Sequence, residues 1–380
     1  MIILFISTNS PYDKESRSGV PYSIFNELSK KNQVIWIEPK IKGVYRVPYI
    51  IQQLCFFILR KIGFKFSART LLTGKLYSID VQRKIDKIKD YNAIFSLGTT
   101  EISYIRTEKP IFIRIDAIHH SFPNYYSFGL AKQSIKWANN LEEKALNKIT
   151  CLFSPSQWVI DEIEKFIPQH KFKIHLVETG ANLNPKSIKY ESRQYGVNIP
   201  LKMIFIGFDI KRKGIDIAYE IVELLNEKYK IQTTLSIIGG KPEDSILNSP
   251  YIQYIGLLNK NIECEYKKFY EEFSKSNLFI FPTKAECHGI VNCEAAAYAL
   301  PIFSFDTGGV SSYVKNDVNG YAMPINSTAD DFAKKIVECV ENGQLSKFSI
   351  NSRLMYEEKF NWNVWGEKVL VIMRKILDNV

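Results

Sequence analysis

The sequence has little with which to hold a metal or cross a membrane. Its 380 residues include only five histidines and six cysteines, and no CxxC pair occurs. Zinc-ligand spacing is therefore missing, and the cysteines are expected as reduced thiols in a cytoplasmic protein. No apolar run approaches the ~18 residues of a membrane-spanning helix. The opening MIILFISTN lacks the basic start and small-residue cleavage site of a signal peptide and is read as a first β-strand. Apolar residues make 46% and charged residues 24%, which argues against disorder, collagen and coiled coil. Acid is missing locally: residues 39–79 contain no Asp or Glu but carry Lys40, Lys42, Arg46, Arg60, Lys61, Lys65, Arg69 and Lys75, so this one segment supplies most of the formal charge of +10.

What is present is an alternation of short apolar runs with amphipathic stretches. Ile2–Ser7, Gln33–Ile37, Ala93–Leu97, Ile111–Ile115 and Cys151–Ser154 read as strands, and Val20–Lys30 as a helix with Ile24, Phe25 and Leu28 on one face. A polar stretch, YESRQYGVNIP at 190–200, reads as a linker. After it the alternation resumes with strands Lys202–Gly207, Thr234–Ile238, Leu278–Phe281 and Ile302–Phe305. Helices are expected over Ile215–Lys228, Glu265–Lys275, Ile290–Tyr298 and Thr328–Glu341. Strand–helix alternation of this kind predicts βαβ units and parallel sheets. The expected fold class is α/β, with two Rossmann-like domains in tandem: 1–195 and 196–362. The apolar spacing of the tail predicts a helix over 363–380 that packs on the second domain or crosses back to the first.

The densest chemical signal is FPTKAECHGIVNCEA, residues 281–295. A strand ends, a polar loop follows and a helix opens near Gly289. Ligands of open α/β sheets bind outside the carboxyl ends of the strands. There the free amides of Gly289, Ile290 and Val291 form an anion site suited to phosphate. Glu294 lies one turn further on and can accept from a ribose diol, while Glu286 sits at the strand end. Glutamates near a helix start also arise from the helix dipole alone. The second signal, FIGFDIKRKGID at 205–216, repeats the arrangement with the adjacent cations Lys211, Arg212 and Lys213. They suit a diphosphate, or form a solvated charged turn.

Taken together these residues resemble the nucleotide-sugar domain of GT-B glycosyltransferases, family 4 (group 1). The Glu286-x7-Glu294 spacing, the following AAAYALP, the Gly308-Gly309 segment and Gly207…Lys213-Gly214 carry the resemblance over roughly 201–325. It implies two Rossmann-like domains facing across a cleft and a retaining hexosyl-type transfer from a nucleotide-diphosphate-sugar. Glu294 would bind the donor ribose, and the amides of Gly289, Ile290 and Val291 the phosphates and sugar. Lys213, with Arg212, would offset charge on the leaving diphosphate, and Glu286 would hold the sugar and steady its positive centre. Gly19 aligns with the first domain's phosphate-approaching glycine loop, although Ser18 stands where a second glycine is frequent and Phe208 where an Arg is usual. After the strand Ile111–Ile115, His119 is ranked ahead of His120 as a catalytic-site histidine facing the sugars; both also fit a surface loop.

The resemblance implies no cofactor, since the nucleotide sugar is a substrate. With no Asp-x-Asp in the chain, metal-independent transfer is expected. Alternatives are a sugar-phosphate enzyme of the same fold, such as a phosphorylase or epimerase, and a non-catalytic nucleotide-sugar-binding protein. In the basic segment, Val47–Leu59 is apolar apart from two glutamines, with Arg60, Lys61 and Lys65 after it. It is expected either to lie in the interface of an anionic membrane, through residues 40–75, or to pack inside the first domain as a helix. Nucleic acid is not expected as a partner, because no binding motif accompanies the charge. The setting implied is cell-surface polysaccharide or glycolipid assembly on a glycan or lipid-linked acceptor, at the cytoplasmic face of the membrane.

Overall fold

A computed structural model describes residues 1–123, 125–126, 129–188 and 193–378. The chain divides into two compact units, Met1–Val177 with Gly366–Val380, and Glu178–Trp365.

The first unit runs β1 (Ile2–Ile6), α1 (Val20–Ser29), β2 (Gln33–Ile37), α2 (Arg46–Lys61), α3 (Leu71–Ile85), β3 (Ala93–Ser96) and β4 (Ile111–Arg114). It continues with α4 (Lys132–Leu146), β5 (Cys151–Ser154), α5 (Gln157–Phe166) and β6 (Lys173–Leu176). All six strands are parallel, in the order β2-β1-β3-β4-β5-β6. The four residues of β3, β4 and β5 are each buried throughout, as expected of strands covered by helices on both faces.

The second unit runs β7 (Leu201–Gly207), α6 (Ile210–Lys213), α7 (Ile215–Glu227), β8 (Thr233–Gly239), α8 (Asp244–Leu247), β9 (Ile252–Gly256) and α9 (Glu263–Lys275). Then follow β10 (Leu278–Phe281), α10 (Ile290–Ala297), β11 (Ile302–Phe305), β12 (Gly320–Met323), α11 (Ala329–Glu341), α12 (Gln344–Glu358) and the first turn of α13 (Trp362–Leu377), which passes into the first unit at Gly366. Its parallel sheet has the order β12-β11-β10-β7-β8-β9. Phe279 and Phe281 are fully buried on one side of β10, and Leu278 and Ile280 belong to the opposite core. Each such side chain contributes roughly 1.5–3 kcal/mol on burial.

In both sheets the chain starts in the middle and winds outward in both directions. The order therefore reverses between β1 and β3 in the first unit and between β7 and β10 in the second. A crevice opens at the carboxyl ends of the two strands flanking such a reversal.

The division falls earlier than the expected 195/196. Residues just after Val177 already pack on the second unit. The Tyr313 hydroxyl accepts from the Thr179 amide (3.1 Å), and Trp362 Nε1 donates to Asn182 Oδ1 (2.8 Å). Residues 190–192 of the expected linker lie outside the described residues. Arg193 is anchored by donating to the carbonyls of Ser276 (2.6 Å) and Phe273 (3.2 Å). The C-terminal helix crosses back, since from Gly366 onward it belongs to the first unit. A Cβ on Gly366 would sit 3.2 Å from the Glu27 side chain of α1, so the missing side chain lets the two helices approach.

The expectation that 47–59 packs inside the domain is overturned. α2 has no buried residue. Val47, Ile50, Ile51, Leu54, Phe57 and Ile58 are exposed, each by 46–61%. Only its inward side touches the unit: Phe56 stacks on Phe66 at 4.6 Å, and Gln52 Nε2 donates to Thr70 Oγ1 at 2.9 Å.

Candidate active site

At the β7/β10 reversal the two strand-end loops are laced together. Asp209 caps α6, its Oδ1 accepting from the Arg212 amide (3.4 Å) and its Oδ2 from Arg212 Nε (3.1 Å). Arg212 Nη1 then donates to the Ala285 carbonyl (2.6 Å), and the Lys284 amide donates to the Arg212 carbonyl (2.8 Å). The approach requires glycine at 214: its φ is +80°, and a Cβ there would lie 2.0 Å from the Pro282 carbonyl oxygen.

This lacing brings Lys213 onto Glu286. The Lys213 stem lies over Gly207, where a Cβ would meet its Cγ at 2.8 Å. Its ammonium sits 4.7 Å from the centre of the Phe281 ring and forms an ion pair with Glu286 Oε2. Both side chains are largely buried, 14% and 11% exposed. Burial works to raise the pKa of Glu286. The Lys213 ammonium, helped by His288 and Arg212, more than reverses that and holds the carboxyl below its ordinary range.

Gly289, at φ +70°, ends the loop and caps α10, so the amides of Gly289, Ile290 and Val291 stand at that helix's N-terminus. Glu294, one turn in, is 1% exposed, and Lys260 Nζ meets its Oε1 at 2.6 Å. Lys260 also lies over the Phe269 ring at 4.2 Å. Sequence reasoning missed Lys260. Its signal was positional, since it follows β9 at a strand's carboxyl end as Lys213 follows β7.

Lys213, Arg212, Glu286, Gly289, Ile290, Val291 and Glu294 are thus gathered at one end of one sheet. Gly19 and His119 belong to the first unit. Gly19 caps α1 at φ +81° and follows Arg17 (φ 46°) and Ser18 (φ 55°), three successive left-handed residues. His119 is 4% exposed, with Nδ1 against Asn139 Oδ1 at 2.9 Å and its ring 5.9 Å from Phe122. Burial lowers its pKa to about 4, so its imidazole is neutral at physiological pH. His120 is also lowered by burial, and its Nε2 lies 3.5 Å from Glu143.

Two units of this construction, each a six-stranded parallel sheet with a crevice at its order reversal, define the GT-B fold. The sucrose-phosphate synthase of Thermosynechococcus elongatus shares it with a TM-score of 0.70 at 14% identity, covering 100% of both chains. Anabaena HepE, solved in complex with UDP and glucose, shares it with a TM-score of 0.63 at 15% identity, covering 99% of this chain and 100% of its own. Residues 188–355, most of the second unit, match the family model of glycosyl transferases group 1. An uncharacterised glycosyltransferase of Methanocaldococcus jannaschii is 24% identical over 256 residues, 66% of this chain. That match spans 65% of the relative's length, just under two thirds.

Proposed function

We propose that the protein is a retaining, metal-independent glycosyltransferase that uses a nucleotide-diphosphate-sugar. The Lys213–Glu286 pair at the β7/β10 reversal, beside the N-terminus of α10, carries the reading. Transfer breaks the bond between the anomeric carbon and the diphosphate oxygen and forms one to an acceptor hydroxyl, whose proton leaves with the diphosphate. Negative charge grows on the leaving group and positive charge on the sugar. The Lys213 ammonium and the amides at 289–291 are fixed in advance where the negative charge develops. Glu286, kept ionised by Lys213, stands where the positive charge needs a carboxylate. Glu294 takes the ribose hydroxyls, with Lys260 holding its carboxylate in place. The match to the group 1 family model supports the nucleotide-sugar donor.

The acceptor is a glycan or lipid-linked glycan in cell-surface polysaccharide or glycolipid assembly, reached at the inner face of the membrane. The outward face of α2 supports this reading. Its exposed apolar residues are flanked by exposed Arg46, Arg60, Lys61 and Lys65, and each cation near anionic lipid contributes about 1 kcal/mol.

Thermal shift with UDP, GDP, ADP, CMP and dTDP tests the donor pocket. A nucleotide at ~100 times its Kd adds about 2.7 kcal/mol, and one of the five should stabilise the wild type but not Glu294→Ala. Equal shifts in both proteins would remove the assignment of Glu294. Activity lost in EDTA and restored by manganese would overturn metal independence.

A further inference from the structure

The order reversal of the first unit holds a cavity of about 480 Å³. Its floor is formed by the segments that follow β1, β3 and β4, and Tyr49 of α2 and Thr73 of α3 close one side. Two guanidiniums line it. Arg17 is aimed by its left-handed backbone, with Nη1 donating to the Leu97 carbonyl (3.0 Å) and Nη2 to Asp116 (2.6 Å). Arg69 lies 5.6 Å from the Phe122 ring and only within 3.9 Å of Glu142 Oε1.

Two buried carboxyls face these cations. Glu101 is 8% exposed, and its Oε2 has no hydrogen-bond partner. It fits because residue 98 is glycine: a Cβ there would lie 2.2 Å from that oxygen. Glu142 accepts from the His119 amide and, at 3.5 Å, from the Thr99 hydroxyl. Burial raises both pKa values, that of Glu142 to about 7, against the pull of Arg69 on each and of Arg17 on Glu101. Burial disfavours the charged form of each carboxyl and so weakens its opposition to the guanidinium charge; Asp116, also on the cavity wall, pairs with Arg17 and with Arg114.

One helix, α2, carries both a wall of the cavity and the apolar face described above. Tyr49, which lines the cavity, and Gln52, bonded to Thr70, lie on the inward side of α2; Val47, Ile50, Ile51, Leu54 and Ile58 cover the outward side. A molecule with its head in the cavity can pass a tail around α2 onto that exposed apolar surface.

We propose that this cavity is the acceptor site and takes an amphiphile with a phosphate-ester head. Arg17 and Arg69 receive the phosphate oxygens, Glu101 and Glu142 meet the hydroxyls of the attached sugar, and the tail follows α2 into the bilayer. Naming it the acceptor site rests on the transferase reading; the binding chemistry does not.

The test is titration calorimetry on the full chain with farnesyl diphosphate below its micelle concentration, inorganic pyrophosphate and UDP. Farnesyl diphosphate should bind the wild type about tenfold or more tightly than pyrophosphate, because its tail is apolar. Arg69→Gln and Arg17→Gln should each weaken it by about tenfold or more, with Arg69→Lys recovering part of the loss. Lys213→Ala should leave it unchanged, and UDP binding should be unaffected by Arg69→Gln. Loss of farnesyl diphosphate binding in Lys213→Ala but not in Arg69→Gln places the anion in the second unit and overturns the proposal. Equal affinity for pyrophosphate and farnesyl diphosphate overturns the amphiphile. Farnesyl diphosphate binding through Arg69 with no UDP binding at all upholds the phosphate site and overturns the transferase reading.

Discussion

Replacing Lys213 by Met isolates what the ion pair contributes. The substitution keeps most of the stem over Gly207 and Phe281 and removes only the ammonium. Glu286 is then left with 11% of its side chain exposed and its closest cation gone. Removing one partner of a buried pair costs about 3–5 kcal/mol; because Arg212 and His288 still act on the carboxyl, about 3 kcal/mol is expected here. The cost depends on pH in a defined direction. In the wild type the folded-state pKa of Glu286 is depressed, so its stabilisation is present above the unfolded-state pKa and lost as pH falls through the folded one. In the Met variant burial dominates and the folded-state pKa rises, so stability is lost as pH rises. The gap between the two proteins therefore widens from acid to neutral pH.

Hydrogen exchange reads this locally, which matters because two units do not unfold as one transition. In peptides covering 201–215 and 278–294, the opening free energies of wild type and variant should differ by about 3 kcal/mol near neutrality and by under ~1 kcal/mol near pH ~4.5. Adding Glu286→Leu should recover most of the loss without restoring activity. A gap of the same size at both pH values would refute the pair as the source.

On α2, Leu54→Glu with Ile58→Glu should abolish co-sedimentation with anionic liposomes while moving Tm by less than the equivalent of ~0.5 kcal/mol, because both side chains are exposed; a large Tm drop would mean the face is packed. Gly214→Ala should destabilise the second unit by about 1–3 kcal/mol and abolish nucleotide binding, since φ is +80° and the new Cβ meets the Pro282 carbonyl at 2.0 Å; normal nucleotide binding would show that the lacing of the two loops is dispensable. Glu142 has a folded pKa raised from 4.5 to about 7, so its contribution falls as pH rises across that window by roughly 3 kcal/mol. Glu142→Gln should therefore flatten the decline of Tm between pH ~5 and ~8, and an unchanged slope would refute the shift.

Local signals made much of the second unit legible. Gly207, Gly214 and Gly289 mark the turns where strands give way to helices, and Lys213 and Glu286 sit beside those turns, so chain order alone set them at carboxyl ends. The strands left unread, β6, β9 and β12, are the outermost of their sheets on one side or the other. β6 and β9 are only partly buried, so neither shows the continuous apolar run of a central strand. β12 opens on Gly320, at φ +150° against the Ile302 carbonyl, which weakens any propensity signal. Lys260 escaped for a different reason. It meets Glu294 across 34 residues of sequence, and only the fold closes that distance.

For the same reason the first-unit cavity is invisible in the sequence while the neighbouring His119 stands out. A histidine after a strand stands out in a sequence because histidines are few. Arg17, Arg69, Glu101 and Glu142 do not stand out, since charged residues in loops and helices are usually solvated. What sets them apart is the reversal of strand order between β1 and β3, which brings the ends of β1, β3 and β4 together and lets α3 and α4 close over them. Gly74 permits that closure, since a Cβ there would lie 2.3 Å from Leu141 of α4. The second unit repeats the rule at β7 and β10, where its charged pair is assembled. In both halves the topology selects the place, and the chemistry follows from which charged side chains are buried there with too little water to solvate them.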